Sequence, residues 1–533
     1  MSENSPPKSF NLVTEPWIPI AGVGLVSLND VFTNEYARLG GTPIEKVVIL
    51  RLLLCIVHAS MPNLDLDGWY ELDSDPTRKK LADKAFDYLQ KWKGRFDLYD
   101  ETHPFLQFTQ LRDQPADPKK INPNALSLPI SSGNTTILTQ WNVGKEPTDA
   151  ELTRLILCGS CYGMGGGKYD FKLKVDQNFQ KREEGKKSKD SAFPGTLTGT
   201  KGYLHTFMLG KNLWETILLN LLTEDELHDL LPMMKLGQPF WESMPTGEKD
   251  TKYRPSYMGT LFPMDKFFCL LNEQNGKQRL QMTEGIQYSS KAPKEPKKTK
   301  APKAPPHWDP GITIYSITKD NYATLWCDPN LAPWRQLPAL LEFMAAPKSK
   351  YKYPAFVIQG LSKFEEHNKV TSFGLWVGGV AVSNKSGEQY VSGQNDYVDS
   401  DFLIPMNWFN DTNSFDRFTK FVESIKFYSE CLEAAVNAYF KSLKDNRNKL
   451  GGIATRLFWE KMALLAQSII SLSEEKDQEK IKAKKIEWMK LARSCYDEFC
   501  PHETPRQMRA YTQNIPDFRP RKNNNDKKKG GKK

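Results

Sequence analysis

The stretch SFDRFTKFVESIKFYSECLEAAVNAYF, residues 414–440, decides how the chain divides. Its apolar side chains recur at spacings typical of one helix face: Phe415, Phe418, Val422, Ile425, Leu432, Val436 and Tyr439. This pattern predicts an amphipathic helix, with Asn413 or Ser414 as the candidate N-cap. Similar helical patterns follow at residues 457–472, 481–499 and 503–513. Short connections, one of them the Leu-Gly-Gly stretch at 450–452, predict an antiparallel bundle of the four-helix type.

The sequence before this bundle mixes short apolar strands, helices and Gly/Pro turns, and it contains no repeat at a fixed period. A chain of 533 residues is longer than one core usually serves. We therefore predict an α+β fold with a large mixed domain over 1–405, a helical bundle over 406–515 and a basic, disordered tail over 516–533. The polar stretches 172–190 and 291–306 are expected to be surface insertions.

The net charge of +9 is concentrated in a few segments. Residues 519–533 contribute +7, residues 291–303 contribute +5 and residues 181–189 contribute +3, so the rest of the chain is mildly acidic. A protein that covers nucleic acid with its whole surface would carry a broader basic face. Any contact with nucleic acid is therefore expected at a small number of loops.

Membrane and secreted classes are disfavoured by the sequence. The longest apolar stretch, VVILRLLLCIV from Val47, is short for a membrane span and contains Arg51. The first residues, MSENSPPKSF, do not resemble a signal segment. The eight cysteines are scattered and do not form a disulfide framework. These observations predict a cytoplasmic protein that does not associate with a membrane.

Catalytic and metal-binding patterns in the sequence are incomplete. His228 and Asp229 form an HD pair, but the other positions of an HD-type metal site are missing, and a surface helix explains the pair more simply. Cys158 and Cys161 have the spacing of zinc ligands without a second pair nearby, although two distant cysteines could join them. No paired nucleophile and base stands out. We expect no catalytic residue, no cofactor and no metal.

The glycine-rich stretch YGMGGGK, residues 162–168, raises a separate question. A phosphate-binding P-loop would need a glycine at 162 and a Ser or Thr at 169, and the chain has Tyr162 and Tyr169. Two explanations stay open: a ligand that approaches the bare backbone closely, or a helix C-cap followed by a turn. A second stretch of the same kind, GTLTGTKG, lies at 195–202.

Several motifs become specific when they are taken in order. They are FNLVTEPWIPI (10–20), GLVSLNDVF (24–32), FDLYDETHPFLQ (96–107), SSGNTTIL (131–138), the glycine stretch, PPHWDPG (305–311) and the helical bundle. In this order they resemble the CasA family, the large subunits of type I-E CRISPR surveillance complexes (Cascade). The resemblance covers residues 10–513.

The resemblance implies a non-catalytic subunit that recognises the protospacer-adjacent motif (PAM) in double-stranded DNA and helps to open the duplex for guide-RNA pairing. It also implies recruitment of a helicase-nuclease. The implied partners are the other Cascade subunits, CRISPR RNA, the target DNA and that nuclease. Two other functions stay open: a metal-dependent nuclease that uses His228 and Asp229, and a general RNA-binding scaffold that acts through the basic tail.

In this family a glycine loop lies against the DNA minor groove at the PAM. That groove is narrow, so a loop without side chains can bring backbone groups to the base edges. The matching residues are Gly163, Gly165, Gly166 and Gly167, with Lys168 placed to reach a phosphate. The stretch at 195–202 is the alternative assignment, and we favour 163–168.

Three further sites follow from the resemblance. SSGNTTIL matches a DNA- and RNA-contacting loop, which meets the complex near the 5′ end of the guide and the PAM. The matching residues are Ser131, Ser132, Gly133, Asn134 and Thr135. Residues 373–391 have the pattern of a β-hairpin, and the family places a strand-separating wedge there. The family often has a glutamine at the wedge tip, whereas here the wedge residues are Ser383, Asn384, Lys385 and Ser386, with Gln389 further along. Lys291 matches a PAM-facing lysine.

Overall fold

The protein folds into two compact units. The computed structural model describes residues 8–113, 123–126, 146–164, 195–230, 234–245, 256–272, 278–286, 309–318, 321–341, 351–352, 355–365, 371–385, 388–391, 396–410, 412–445 and 450–519. The first unit comprises residues 1–333 and 348–402, and the second comprises residues 334–347 and 403–533. The short segment 334–347 therefore belongs with the helical part of the chain, although it precedes the boundary that the sequence suggests.

The fold class predicted from the sequence, α+β with a C-terminal helical region, is confirmed. The helices of the first unit are α1 Leu28–Thr33, α2 Pro43–Ser60, α3 Leu66–Asp73, α4 Lys79–Trp92, α5 Asp149–Cys161, α6 Leu213–Leu219, α7 Glu224–Leu230, α8 Tyr257–Leu261 and α10 Ala355–Glu365. Helices are numbered in chain order, and α9 belongs to the second unit. Those of the second unit are α9 Leu337–Leu340, α11 Asn407–Asn410, α12 Thr412–Ser442, α13 Leu450–Ala463, α14 Ala466–Leu472, α15 Gln478–Phe499 and α16 Pro505–Gln513.

The strands form small sheets of two or three strands. They are β1 Ile18–Ile20, β2 Gly24–Val26, β3 His205–Leu209, β4 Lys266–Asn272, β5 Gln278–Glu284, β6 Ile314–Thr318, β7 Asn321–Thr324, β8 Tyr351–Lys352, β9 Ser372–Val380, β10 Ser383–Lys385, β11 Glu388–Tyr390 and β12 Tyr397–Pro405. In the three-stranded sheet β12-β9-β3, strand β3 pairs with β9 in the register His205↔Gly378 to Leu209↔Gly374. This sheet leads directly from β9 into the β10–β11 hairpin.

Helix α2 forms the centre of the first unit. It begins with a capping box in which Thr42 and Glu45 satisfy each other's backbone N–H groups, and Pro43 occupies the first turn. Residues 47–57 of this helix are buried on all sides, so the apolar stretch noted in the sequence is a core helix. Among the residues that the structure describes, no helix is long and apolar enough to cross a bilayer.

Arg51 is the one charged residue within that buried stretch, and it is paired. Its guanidinium donates to both carboxylate oxygens of Asp309, at 2.8 and 2.6 Å, and the two side chains are 0% and 1% exposed. It also donates to the carbonyl of Leu261 at 3.3 Å. Burial alone would lower the pKa of Arg51, but the charge and hydrogen bonds of Asp309 outweigh it and raise that pKa. The PPHWDPG motif thus supplies the partner of the core arginine.

The second unit is built around the long helix α12, as the apolar spacing predicted. Phe415, Phe418, Ile425 and Leu432 are buried on its inner face. The prediction that residues 450–452 connect two helices is wrong, because helix α13 begins at Leu450. A β-carbon at Gly451 would collide with the side chain of Asn437 on α12, so this glycine permits close helix packing.

The chain beyond Pro516 is described only to residue 519. The expectation that nothing packs there is wrong for Phe518, whose ring lies edge-on to Tyr428 at a centroid distance of 5.5 Å. Pro516 itself is buried. The end of the bundle therefore extends slightly past its predicted boundary, and the basic residues from 520 onwards lie outside the described part of the chain.

Replacing Arg51 with methionine should lower the free energy of unfolding by about 3–5 kcal/mol, because the buried charge of Asp309 would lose the compensating charge of the guanidinium. Urea denaturation of the full chain measures this loss. The control is Lys80→Met, which removes an exposed ion pair to Glu71 whose side chains are 58% and 71% exposed. That variant should change little, and equal losses in the two variants would contradict a central role for Arg51.

The adjacent glycines of α13 provide a second test. Gly452 is exposed, and no described atom lies within 4 Å of a β-carbon placed there, so Gly452→Ala should stabilise the helix by about 0.5–1 kcal/mol. Gly451→Ala should lose that gain and destabilise the bundle, because its methyl group meets Asn437. Thermal unfolding of both variants measures the difference. A stabilised Gly451→Ala variant would contradict the packing account.

Candidate nucleic-acid interface

The two glycine-rich stretches meet in the fold. Gly163 follows the last turn of α5 and is buried, and its carbonyl accepts a hydrogen bond from the N–H of Gly195 at 2.8 Å. The residues between them, 165–194, lie outside the described part of the chain. The stretches that the sequence offered as alternatives therefore share one junction at their base.

The absence of side chains at this junction has a packing cause. A β-carbon at Gly195 would lie 2.5 Å from the carbonyl oxygen of Gly163, and one at Gly163 would lie 3.0 Å from side-chain carbons of Lys266. Neither position tolerates a side chain without movement of its neighbours. Close packing against Gly195 and Lys266 thus accounts for Gly163, and the burial of this residue does not favour direct contact with a ligand. The C-cap of helix α5 is Tyr162, so Gly163 is not itself the helix cap.

Residues 195–202, here called the glycine turn, form a tightly bonded loop. The N–H groups of Thr198 and Gly199 both donate to the carbonyl of Gly195, at 3.1 and 2.8 Å. Gly199 and Gly202 adopt positive φ angles of 61° and 88°, a region that favours glycine. The turn is buried except for Thr200 and Lys201, which are exposed. It therefore presents one short dipeptide to solvent.

Asp265 holds the beginning of the glycine turn. Its two carboxylate oxygens accept hydrogen bonds from the backbone N–H and the hydroxyl of Thr196, at 2.7 and 2.6 Å. Burial raises the pKa of Asp265 to about 7, although the hydrogen bonds from Thr196 and the nearby charge of Lys266 act in the opposite direction. Lys266 is itself paired with Glu284 in a buried contact.

His205 holds the middle of the turn and connects it to the core. One ring nitrogen, Nε2, lies 2.9 Å from the carbonyl of Leu197, and the other, Nδ1, lies 3.4 Å from a guanidinium nitrogen of Arg51. A carbonyl can only accept and a guanidinium can only donate, so the proton must be on Nε2. The ion pair of Arg51 and Asp309 thus fixes the tautomer of His205 and, through it, the position of the turn.

A β-hairpin is present within the predicted range 373–391, at residues 383–390, and it lies against the turn. Residues 372–380 form strand β9, which pairs with β3 and β12. Strands β10 and β11 pair in the register Ser383↔Tyr390, Asn384↔Gln389 and Lys385↔Glu388. Gln389 is 3% exposed, and its side-chain amide donates to the carbonyls of Gly199 and Thr200 at 2.8 and 3.3 Å. Ser383 is exposed. Gln389 is therefore one residue pair from the end of the hairpin ladder, with its amide bonded to the glycine turn.

Backbone contacts join the base of the hairpin to the same turn. The N–H of Val382 donates to the carbonyl of Lys201 at 2.9 Å. A β-carbon at Gly202 would overlap the carbonyl oxygen of Val380, so only glycine allows the two backbones to approach this closely. The turn and the hairpin consequently form one continuous surface.

Several predicted site residues lie outside the described part of the chain. They are Ser131, Ser132, Gly133, Asn134, Thr135, Gly165, Gly166, Gly167, Lys168, Lys291 and Ser386. The backbones of Asn384 and Lys385 belong to β10. Their roles, and the role of the loop at 131–135, stay predictions.

The residues that the sequence offered for a metal-dependent nuclease or a zinc site are not arranged around a metal in the described part of the chain. His228 and Asp229 project from the short helix α7 with side chains 79% and 85% exposed, as the surface-helix explanation predicted. Cys158 and Cys161 lie on α5, where burial raises the pKa of both thiols well above the usual value. Within the described ranges, no group of three or more His, Cys, Asp or Glu side chains is arranged to hold a metal ion.

The sequence did not indicate Asp265 or His205. Asp265 and its partner Thr196 are separated by 69 positions, and His205 is separated from Arg51 by 154. No local pattern marks such contacts. The one available signal was the spacing of Gly195, Gly199 and Gly202, which is typical of a turn that packs against another backbone.

Comparison with known proteins gives concordant results. Residues 11–496 match the family model for CRISPR-associated protein Cse1. A protein described as CRISPR-associated protein CasA/Cse1, from Thermus thermophilus, is 29% identical over 261 residues. That alignment covers 45% of this chain and 43% of the relative, so it spans less than half of the relative's length.

Two solved structures show the same fold at low sequence identity. Cse1 from Acidimicrobium ferrooxidans gives a TM-score of 0.68 at 18% identity, covering 96% of this chain and 100% of that chain. A chain from a structure described as a CRISPR RNA-guided surveillance complex gives a TM-score of 0.62 at 18% identity, covering 96% and 99%. At these identities the likeness establishes the fold alone.

The raised pKa of Asp265 predicts a pH dependence. The folded chain retains the proton up to about pH 7, whereas an unfolded Asp, with its ordinary pKa of 3.8, releases it at lower pH. The contribution of Asp265 to stability is therefore fully present below pH 4 and is lost as the pH rises towards 7. Asparagine does not titrate, so the Asp265→Asn variant should not lose this stability as the pH rises. The unfolding free energy of the wild type should therefore fall relative to that of the variant between pH 4 and 7.

Urea unfolding at several pH values between 4 and 8 measures the effect. Asp229→Asn, at an exposed carboxylate, is the control and should show no such change. A wild-type-to-Asp265→Asn difference that stays constant across the window would contradict the raised pKa.

Proposed function

The chain belongs to the family of CRISPR-associated protein Cse1, and we propose that it is the non-catalytic large subunit of a type I-E surveillance complex. In this proposal it recognises the PAM in double-stranded DNA, helps to open the duplex for guide-RNA pairing and recruits the helicase-nuclease. Its partners are the other Cascade subunits, CRISPR RNA and target DNA, and it acts in the cytoplasm.

The observation that supports this proposal best is the glycine turn packed against a hairpin. A reader of the minor groove needs a narrow element, because that groove is only about 6 Å wide. The turn exposes Thr200 and Lys201 and keeps its other residues buried. Lys201 is suited to a phosphate, which positions a protein on DNA without reading sequence.

Rigidity of the turn favours recognition of a duplex. Asp265, His205 and Gln389 each bind a different part of it, at Thr196, at Leu197 and at residues 199–200. Because these anchors are formed before DNA arrives, little conformational entropy remains to be lost on binding. We also propose that Gly165–Lys168, which the sequence matches to the family's glycine loop, take part in reading the PAM.

The hairpin is suited to strand separation. A wedge must offset an unstacking cost of a few kcal/mol per base step, so it has to be held firmly. Strands β10 and β11 are paired with each other and bonded to the glycine turn. We assign the wedge to Ser383, Asn384, Lys385 and Ser386. We further assign Lys291 to the DNA and Ser131–Thr135 to contacts within the complex.

The proposal predicts that a bulky side chain in the glycine loop blocks duplex recognition selectively. Gly166→Leu should weaken binding to a PAM-containing duplex by about tenfold to a hundredfold, the range expected for loss of base-pair readout. Binding to a target already opened beside the PAM should be retained. Fluorescence anisotropy with both DNAs measures the two affinities in the assembled complex.

The matched control for this test is Gly94→Leu, since a β-carbon at Gly94 has no described atom within 4 Å. That variant should bind both DNAs normally. Equal losses of Gly166→Leu on the closed and the opened target would contradict readout of a paired PAM by this loop.

A further inference from the structure

Gln389 makes contacts that a residue at the tip of a wedge would not make. Its amide is buried and donates to two successive carbonyls, those of Gly199 and Thr200. These carbonyls belong to the peptide group before Thr200 and to the one that joins Thr200 to Lys201, the exposed dipeptide of the glycine turn. On the hairpin, Gln389 stands opposite Asn384, one pair before the end of the ladder at Lys385 and Glu388. The side chain therefore joins the outer part of the hairpin to the outer part of the turn.

The other contacts between the two elements lie nearer the base of the hairpin. Val382 donates its N–H to the carbonyl of Lys201, and Gly202 lies against the carbonyl of Val380. Contacts at the base alone would leave the outer hairpin free to pivot about residues 380–382. The two hydrogen bonds from Gln389 oppose such a pivot, because they act further along the strand.

We propose that Gln389 is a positioning residue that holds the hairpin and the glycine turn as one rigid body, so that duplex recognition and strand separation are linked without a hinge. This inference rests on the function proposed above. The family resemblance implies a glutamine at the wedge tip, whereas here the amide of Gln389 is bonded inside the protein. Strand separation is left to the other hairpin residues named above.

The chemistry requires an amide at this position. A glutamine supplies two N–H donors to two carbonyl acceptors, whereas a glutamate at pH 7 has no donor and would place a negative charge against both carbonyls. Gln389→Glu should therefore be at least as disruptive as Gln389→Ala, although it preserves the size of the side chain. A role in simple space filling predicts the opposite order.

Hydrogen exchange of the full chain tests the anchor without DNA. Both Gln389 variants should raise the amide exchange of Val382 and Gly199 about fivefold or more, since each lost hydrogen bond is worth about 1 kcal/mol. The matched control is Gln467→Ala, which removes a glutamine that bonds the backbone N–H and carbonyl of Leu403 in the second unit. The control should leave exchange at Val382 and Gly199 unchanged. Unchanged exchange in the Gln389 variants would overturn the anchor.

Strand opening tests the link to function. In the assembled complex, a fluorescent base analogue beside the PAM should report opening about tenfold slower for Gln389→Ala than for wild type, while initial docking changes little. On a target opened in advance, the variant should match wild type. An opening rate equal to wild type on the closed duplex would overturn the link, as would an equal defect on the opened target.

The two experiments separate this inference from the proposed function. If the wild-type complex showed no preference for a PAM-containing duplex, the proposed function would fail, and the functional link with it. The exchange measurement would still decide whether Gln389 anchors the hairpin to the turn. If the wild-type complex prefers the PAM-containing duplex and only the Gln389 variants open it slowly, the proposed function and the positioning role of Gln389 are both supported.

Discussion

The buried ion pair between Arg51 and Asp309 is the constraint on which the proposed interface depends. An unpaired charge at the position of Arg51 would be very costly, so Asp309 must remain within bonding distance. The guanidinium of Arg51 can only donate, so Nδ1 of His205 must accept its hydrogen bond. The proton is then on Nε2, which donates to the carbonyl of Leu197 in the glycine turn. The polar interaction in the core thereby determines where the turn lies.

Glycine has three different uses in this part of the molecule. Gly163 and Gly195 allow two backbones to bond where a side chain would collide, and Gly202 lets the turn touch the strand before the hairpin. Gly199 supplies a positive φ angle. None of these roles requires a ligand, yet together they produce a narrow, side-chain-poor surface that ends in Thr200 and Lys201. A structure suited to a minor groove thus arises from the packing that holds it.

Much of the fold could be predicted from the sequence, because the patterns that indicate helices and strands lie within short stretches of the chain. The apolar spacing of residues 415–439 predicted helix α12, and the pattern around Ser383 and Gln389 predicted the hairpin. Gly451 was misread as a connection, since a glycine pair in sequence cannot reveal that Asn437 of another helix packs against it. The direction of the Gln389 side chain was likewise unpredictable, because its acceptors are 190 and 189 positions away.

In the proposed function, the glycine turn faces the paired PAM. A photo-crosslinking amino acid at position 201 of the assembled complex tests this placement, with the same group at the exposed residue Lys84 as the reference. We expect crosslinks from position 201 to nucleotides at and beside the PAM, and none above background from position 84. Crosslinking from position 201 that is absent, or that is independent of the PAM, would contradict this placement.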